Sequence, residues 1–393
     1  MNGFTYYTPT KVVFGLNAES RVGALVKAQG CKKVLIHYGG GSVKRTGLLD
    51  RIKAALDEAG IAHVELGGVV PNPHLSKARE GIALCKAEGV DFLLAVGGGS
   101  VIDSCKCIGY GVANEGDVWD FYSTDRRPAA CLPIGTVLTI AAAGSEMSNS
   151  SVITNEDGWL KRDCSSDLSR PVFSVMNPAL TVTLPDYQTA SGCVDIMMHT
   201  MERYFNSEPE NLDLTDGISE ALMRTVMENA RILRDRPDDL KARAEVMWAG
   251  SLSHNGLTGC GTDGGDWATH RLEHELGGMF DVAHGAGLTA LWGTWARYVY
   301  KERPERFVRF ARSVLQVKPG ADDEETILNG ISAMEDYYRS IGMPVNLREL
   351  GVHPTDQQFR ELARKCSVAA NDSLGVVKKL HQADMEAIYR AAL

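Results

Sequence analysis

The sequence predicts an α/β N-terminal domain on a parallel sheet, followed by an all-α C-terminal domain. Three observations predict it. Strand-length apolar runs alternate with amphipathic helical segments as far as residue 185. Two of those runs end in the same motif, Gly-Gly-Gly-Ser-Val. Beyond residue 185 long helical periods replace the strand signals, and seven of the ten histidines lie past residue 198.

Val34 to Tyr38 is an apolar run that ends in Gly39, Gly40, Gly41 and Ser42. Leu48, Leu49, Ile52, Ala55 and Leu56 then recur at helical spacing up to Gly60. Val64 to Val70 is the next strand candidate, and Leu75, Ala78, Ile82 and Cys85 follow along one helical face. Phe92 to Val96 is a further strand, ending in Gly97, Gly98, Gly99 and Ser100. This alternation implies a parallel sheet covered on both faces, with right-handed connections. The boundary falls at Thr183-Leu184-Pro185-Asp186, where proline ends a strand and opens a helix, giving domains 1–185 and 186–393. Glu220 to Leu233, Leu240 to Ser253, Arg303 to Val317 and Glu325 to Ser340 carry the helical period of the second domain. No low-complexity linker separates the halves, so close packing around a cleft suited to a small molecule is expected.

Each glycine motif sits where a strand hands over to a helix. Glycine lets backbone N–H groups approach a ligand, and the helix N-terminus that follows favours negative charge. Neither copy matches Gly-x-Gly-x-x-Gly or the Walker loop. One such loop is ordinarily a tight turn; two at neighbouring strand ends favour a phosphate-bearing cofactor. Asp103 falls in the first helical turn, where it either caps the helix or bonds a cofactor group. The hydroxyl-rich stretch Thr136 to Thr154 has the composition of a connection with turn and capping roles. Its place between the glycine loops and the histidines also makes it a candidate cofactor-facing loop. Lys161 follows it, either pairing with an anion or lying on the surface.

In the second half, Asp195 and His199 are four residues apart, as are His270 and His274, and His284 follows ten residues later. Positions i and i+4 share one face of a helix, so two pairs can converge on one cation. A lone pair is ordinarily chance or a surface feature; two pairs and a further histidine favour a metal site. Mixed nitrogen and oxygen donors suit Fe²⁺, Zn²⁺, Co²⁺ or Ni²⁺.

The net charge of −9 argues against nucleic acid or an anionic membrane as a partner. Arg303 to Arg312 interleaves Phe307 and Phe310 at helical spacing, the pattern of the wet side of an amphipathic helix. No apolar run reaches the ~20 residues that span a bilayer. Met1 to Gly15 lacks the basic region and apolar stretch of a signal peptide. Nine scattered cysteines without a Cys-x-x-Cys pair are expected to be buried free thiols in a reducing cytosol. A cytoplasmic protein with no nucleic-acid or membrane partner is expected.

Taken in order, Gly97-Gly98-Gly99-Ser100-x-x-Asp103, Ala143-Gly144-Ser145-Glu146, Asp195-x-x-x-His199, His270-x-x-x-His274 and His284-Gly285 resemble the iron-containing, or group III, alcohol dehydrogenases. Tyr38 to Lys44 and Asp266-Trp267-Ala268-Thr269-His270 resemble the butanol dehydrogenase and broad-range aldehyde reductase branch. The match runs from Phe14 to about Trp292. It implies a dehydroquinate synthase-like fold, with an α/β, Rossmann-like nucleotide-binding domain and an all-α metal-binding domain, a homodimer, and metal-dependent, NAD(P)H-linked interconversion of primary, butanol-like alcohols and aldehydes by hydride transfer in the cleft. It also implies one divalent cation, Fe²⁺ by the family name with Zn²⁺ as the alternative, held by Asp195, His199, His270 and His284. His274 matches a family histidine near the active site that is not a ligand. Cofactor contacts fall on Gly39, Gly40, Ser42, Asn72, Gly98, Gly99, Ser100, Thr139, Ser148, Ser150 and Lys161, with Asp103 beside them. Ala143 stands where the family often has threonine, removing one hydroxyl near the cofactor.

Three neutral imidazoles and one carboxylate leave a divalent cation with net positive charge, able to polarise a carbonyl oxygen, while the nicotinamide carries the hydride. His274 is the nearest ionisable group in sequence for the accompanying proton. The loop 39–42 has no carboxylate to meet a ribose 2′-hydroxyl, and Lys44 and Arg45 follow it, which favours NADP(H) over NAD(H). A glycerol or polyol dehydrogenase of the same fold would share these features. A dehydroquinate-synthase-like lyase would need a basic cluster around substrate phosphate, which residues 186–290 do not place next to the ligand motifs. The complete ligand set opposes a catalytically silent nucleotide- or metal-binding protein.

Overall fold

Val34, Leu35 and Ile36, like Phe92 through Val96, are buried in the computed structural model, as strands covered on both faces must be. The structure describes residues 1–206 and 212–393. Eight strands form among the described residues: β1 Lys11–Phe14, β2 Lys33–Gly39, β3 Ala62–Val69, β4 Phe92–Gly97, β5 Ile134–Leu138, β6 Ser150–Asn155, β7 Leu160–Ser165 and β8 Phe173–Met176. Six of them build one parallel sheet in the order β1-β8-β5-β4-β2-β3, and β6 and β7 pair as an antiparallel hairpin.

The helices of this part are α1 Val22–Lys27, α2 Ser42–Arg45, α3 Leu48–Glu58, α4 Leu75–Glu88, α5 Gly99–Ala113 and α6 Asp120–Ser123. Apolar positions of α1 and α3, namely Val22, Val26, Leu49 and Ile52, pack with Val34, Ile36, Leu94, Val96, Val137 and Val175 in one core cluster. Each large apolar side chain fully buried in such a cluster contributes about 1.5–3 kcal/mol.

The strand order creates a switch point. From β2 the chain crosses to β3 on one side; from β4 it crosses to β5 on the other. The two glycine motifs therefore lie at the carboxyl ends of adjacent strands, where an open α/β sheet leaves a crevice. The second motif opens the long helix α5, as expected. The first departs from expectation: it opens only the four-residue α2, and Gly47 in the left-handed region separates α2 from α3.

The chain divides into two compact units, Tyr7–Thr183 and Met1–Tyr6 together with Leu184–Leu393. Residues 1–6, which the sequence boundary places with 7–185, lie in the unit of Leu184–Leu393, where the Asn2 N–H bonds the Gly261 carbonyl. Pro185 does open a helix, but a short 3-10 turn, Pro178–Thr181, precedes it rather than a strand. The second unit is helical: α7 Asp186–Tyr204, α8 Asp213–Asp235, α9 Leu240–His254, α10 Ala268–Phe280, α11 His284–Val299, α12 Pro304–Ser313, α13 Asp323–Ser340, α14 Asp356–Ala369 and α15 Gln382–Ala391. The helix expected over Arg303 to Val317 stops at Ser313. No helix among the described residues is long and apolar enough to cross a membrane.

Candidate metal centre and nucleotide-binding edge

Helices α7, α10 and α11 bring the predicted ligands together. Asp195 and His199 sit one turn apart on α7, His270 lies in the first turn of α10, and His284 is the first residue of α11. Three ring nitrogens surround one carboxylate oxygen: Asp195 Oδ1 lies 3.6 Å from His199 Nδ1, 3.7 Å from His270 Nε2 and 3.6 Å from His284 Nε2. These separations are too long for hydrogen bonds. Among the described residues, Asp195 Oδ1, His199 Nδ1 and His270 Nε2 are buried without a hydrogen-bond partner.

A buried carboxylate oxygen with no donor is costly, and Asp195, His199 and His270 offer atoms that all lie within 4.8 Å of one another, room for a cation. His284, 3.6 Å from the same oxygen, groups with Glu273 and His274 and borders that place. Nitrogen and oxygen donors in this ratio fit Fe²⁺ or Zn²⁺. The electrostatics point the same way. Burial, then the neighbouring His254, His270 and Arg203, holds His199 well below the ordinary histidine range, so it is a neutral donor. For His270, burial opposes charge, but the Asp195 and Glu202 carboxylates overcome it and lift the ring to about 9. The pocket thus draws positive charge to the place where a cation would sit.

His274 lies one turn beyond His270, buried, and outside the group around Asp195. It clusters with Glu273 and His284, its ring centre 5.9 Å from that of His284.

Glu202, Glu273, Arg203 and His254 also belong to this centre, and no motif in the sequence marks their part in it. Glu202 accepts hydrogen bonds from His270 Nδ1 (3.1 Å) and from the His270 backbone N–H (3.0 Å). Glu273 accepts from His284 Nδ1 in a close contact. Arg203, buried, donates to the His199 carbonyl (2.7 Å) and meets His254 Nδ1 at 3.1 Å. Because arginine only donates, that nitrogen of His254 is the acceptor. The His254 ring lies 4.0 Å from that of His199, centre to centre. Trp267 precedes α10 in the left-handed region, φ 61°, with the Arg203 guanidinium 4.6 Å from its ring centre.

In the other unit, the candidate cofactor residues gather around the switch point. Gly39 ends β2, and Gly98 and Gly99 lead into α5. A Cβ on Gly98 would come within 2.9 Å of the Ile140 side chain, so the chain leaving β5 lies directly on the second glycine loop. Thr139 N–H bonds the Gly97 carbonyl at 3.1 Å. Asn72 follows β3 with φ 53°, and its neighbour Pro73 accepts from the Thr154 N–H at 2.8 Å. Thr154 in turn pairs with Lys161 across the hairpin. Lys161 is buried there, so the surface-lysine alternative is set aside.

Asp103 does not cap α5. Its carboxylate accepts from the Ser145 hydroxyl (2.5 Å) and the Val152 N–H (2.9 Å), tying the polar stretch to the helix. One turn on lies Lys106, which no motif in the sequence marks. Its wholly buried ammonium donates to the carbonyls of Ser145 (2.8 Å), Ser148 (3.0 Å) and Ser150 (2.7 Å) and to the Ser145 hydroxyl (2.8 Å). Burial brings this lysine down to about 8. Ser148 and Ser150 are therefore held by a cation inside the fold. Ser100 and Ser42 are the residues next after the glycines, Ser42 opening α2.

Comparison with known proteins gives an independent line. The family model described as iron-containing alcohol dehydrogenase matches residues 9–178, and that for the C-terminal part of the same family matches residues 189–393. The chain is 40% identical, over all of both chains, to a Bacillus subtilis protein named probable NADH-dependent butanol dehydrogenase 1. It is 35% identical to an Escherichia coli NADPH-dependent aldehyde reductase, over 90% of each chain. The crystal structure of a Thermotoga maritima NADH-dependent butanol dehydrogenase A superposes with a TM-score of 0.96 at 37% identity, covering 100% of this chain and 99% of that one.

Proposed function

We propose, because the chain belongs to the iron-containing alcohol dehydrogenase family, that it interconverts primary alcohols and aldehydes by hydride transfer at the centre built on Asp195. The observation that carries this reading is the ring of three imidazole nitrogens around the unbonded Asp195 Oδ1. When bound, a divalent cation supplies Lewis-acid polarisation of the substrate oxygen, and the nicotinamide supplies or accepts the hydride. Asp195, His199, His270 and His284 are the residues that would hold the cation, Fe²⁺ or Zn²⁺. Glu202 and Glu273 keep His270 and His284 turned with Nε2 toward Asp195. Aldehyde reduction also consumes a proton at oxygen and alcohol oxidation releases one. His274 is the group we assign to that transfer, as a buried histidine beside the ligand set but outside it.

The cofactor would bind along the glycine loops, Asn72, Thr139, Ser148, Ser150 and Lys161. The phosphate-bearing form, NADPH, is our choice for the preferred cofactor. Gly39 to Ser42 bring no carboxylate to the ribose position, and Lys44, fully exposed beside the Tyr38 ring, adds positive charge there. A kcat/KM for NADH equal to or above that for NADPH would overturn this choice. All nine cysteines are free, which suits a reducing compartment such as the cytoplasm. We also propose a homodimer, which sedimentation velocity tests.

The experiment for the whole reading is a panel of aldehydes, alcohols and polyols assayed with NADH and NADPH, with added Fe²⁺, Zn²⁺ or a chelator. Turnover of short primary alcohols and aldehydes that a chelator abolishes is expected. Turnover indifferent to chelation would overturn it, and a strong preference for glycerol would move the chain to the polyol dehydrogenases.

A further inference from the structure

Glu202 stands three residues after His199 on α7, and Glu273 stands three residues after His270 on α10. Each carboxylate is bonded to the imidazole of the next helix in the series. Glu202 takes His270 Nδ1 on α10, and Glu273 takes His284 Nδ1 on α11. In both rings the opposite nitrogen, Nε2, is the one 3.6–3.7 Å from Asp195 Oδ1. A carboxylate only accepts, so the bonded Nδ1 keeps its proton and the Nε2 lone pair is left for coordination. His199 differs, presenting Nδ1 instead, with the His254 ring against it. Both carboxylates are buried, Glu202 at 2% and Glu273 at 0% exposure, where their charge is little screened. The fold makes room for this: a Cβ on Gly287 would lie 2.8 Å from Glu273 Cγ.

We propose that Glu202 and Glu273 are positioning residues that raise the metal affinity of the site, a carboxylate relay in which each helix fixes and strengthens the ligand of the next. The proposal rests on the reading of Asp195, His199, His270 and His284 as ligands. The carboxylate does two things to an imidazole: it selects the tautomer and, through its charge, makes the free nitrogen a stronger donor. Glutamine keeps an accepting oxygen but loses the charge; leucine loses both. Affinity should therefore fall from glutamate to glutamine to leucine at each position.

The test uses the full-length chain, stripped of metal and titrated with Zn²⁺ against a chromophoric chelator. In parallel it is loaded with Co²⁺ to read the visible absorption of the ion. Glu202→Gln and Glu273→Gln are expected each to raise the Zn²⁺ dissociation constant by roughly 10–100-fold and to shift the Co²⁺ bands. Gly287→Ala, which crowds Glu273 without removing it, is expected to weaken Zn²⁺ binding in the same direction. Glutamine variants that bind Zn²⁺ as tightly as the unaltered chain, with its Co²⁺ spectrum, overturn the relay and leave the ligand reading standing. An unaltered chain that takes up neither Zn²⁺ nor Co²⁺ overturns the ligand reading and the relay with it. Where a leucine variant does not fold, the near-isosteric glutamine variants decide.

Discussion

Asp195 is the residue on which the centre turns, since its Oδ1 is the atom that three imidazoles share. Asp195→Ala or His270→Ala is expected to abolish turnover and empty the site while leaving cofactor binding intact. Metal analysis, circular dichroism and NAD(P)H fluorescence titration check this, and near-native activity without bound metal would reassign the site. Replacing an outer carboxylate typically costs 10–100-fold, so loss of a direct ligand should cost more. His274→Ala is expected to behave differently, lowering kcat by ~10²–10⁴-fold while the metal stays. An empty site in that variant would make His274 a ligand and end its role in proton transfer. The convergence of Asp195 and His199 was legible in the sequence because i,i+4 spacing is a local property of a helix; the choice of His270 and His284 over His274 as their companions rested on the family resemblance. Glu202 and Glu273 were not legible, because their partners lie 68 and 11 residues away and nothing local separates them from solvated glutamates.

At the scale of elements, β2 and β4 were legible as apolar runs that end in glycine, and β3 as a candidate between them, although Ala62–Val69 carries His63 and Glu65 and has Gly67 and Gly68 inside it. The strands β6 and β7 were not: Ser150–Asn155 and Leu160–Ser165 are rich in polar residues, and the hairpin exists through its pairing. Helix α5 shows a second limit. From Val101 to Gly111 every residue is buried, so Lys106 is interior, although a lysine at helical spacing ordinarily faces water. Its ammonium gathers three carbonyls from the stretch that carries Ser148 and Ser150. Lys106→Met removes those donors, and each buried acceptor left unsatisfied costs about 1–3 kcal/mol. The variant is expected to melt lower and to show a raised KM for the nicotinamide cofactor with unchanged metal content. An unchanged cofactor KM would show that the network supports the fold alone.

The molecule as a whole has two units of different grammar: the parallel sheet presents its glycine loops, and the helical unit assembles carboxylates and imidazoles that would hold a cation. The dependence on pH should differ between them. In the sheet unit, His37 on β2 is wholly buried, with Nδ1 2.8 Å from the Leu66 carbonyl and Nε2 2.9 Å from the Ser104 hydroxyl. The carbonyl takes the Nδ1 proton and the hydroxyl donates to Nε2, so the neutral ring is satisfied on both sides and ties β2 to β3 and α5. Burial, only partly offset by the Leu66 carbonyl, lowers His37 from 6.5 to about 4. The unfolded chain therefore binds this proton at higher pH than the folded chain does. The contribution of His37 is fully present above pH 6.5 and is lost as the pH falls toward 4. At about 1.4 kcal/mol per pH unit, that loss amounts to roughly 3 kcal/mol over the window. Urea unfolding of the unaltered chain and of His37→Gln, followed from pH 7 to 4, checks this. The histidine chain is expected to lose stability more steeply below pH 6.5, and parallel curves would show that His37 is not the source of acid sensitivity.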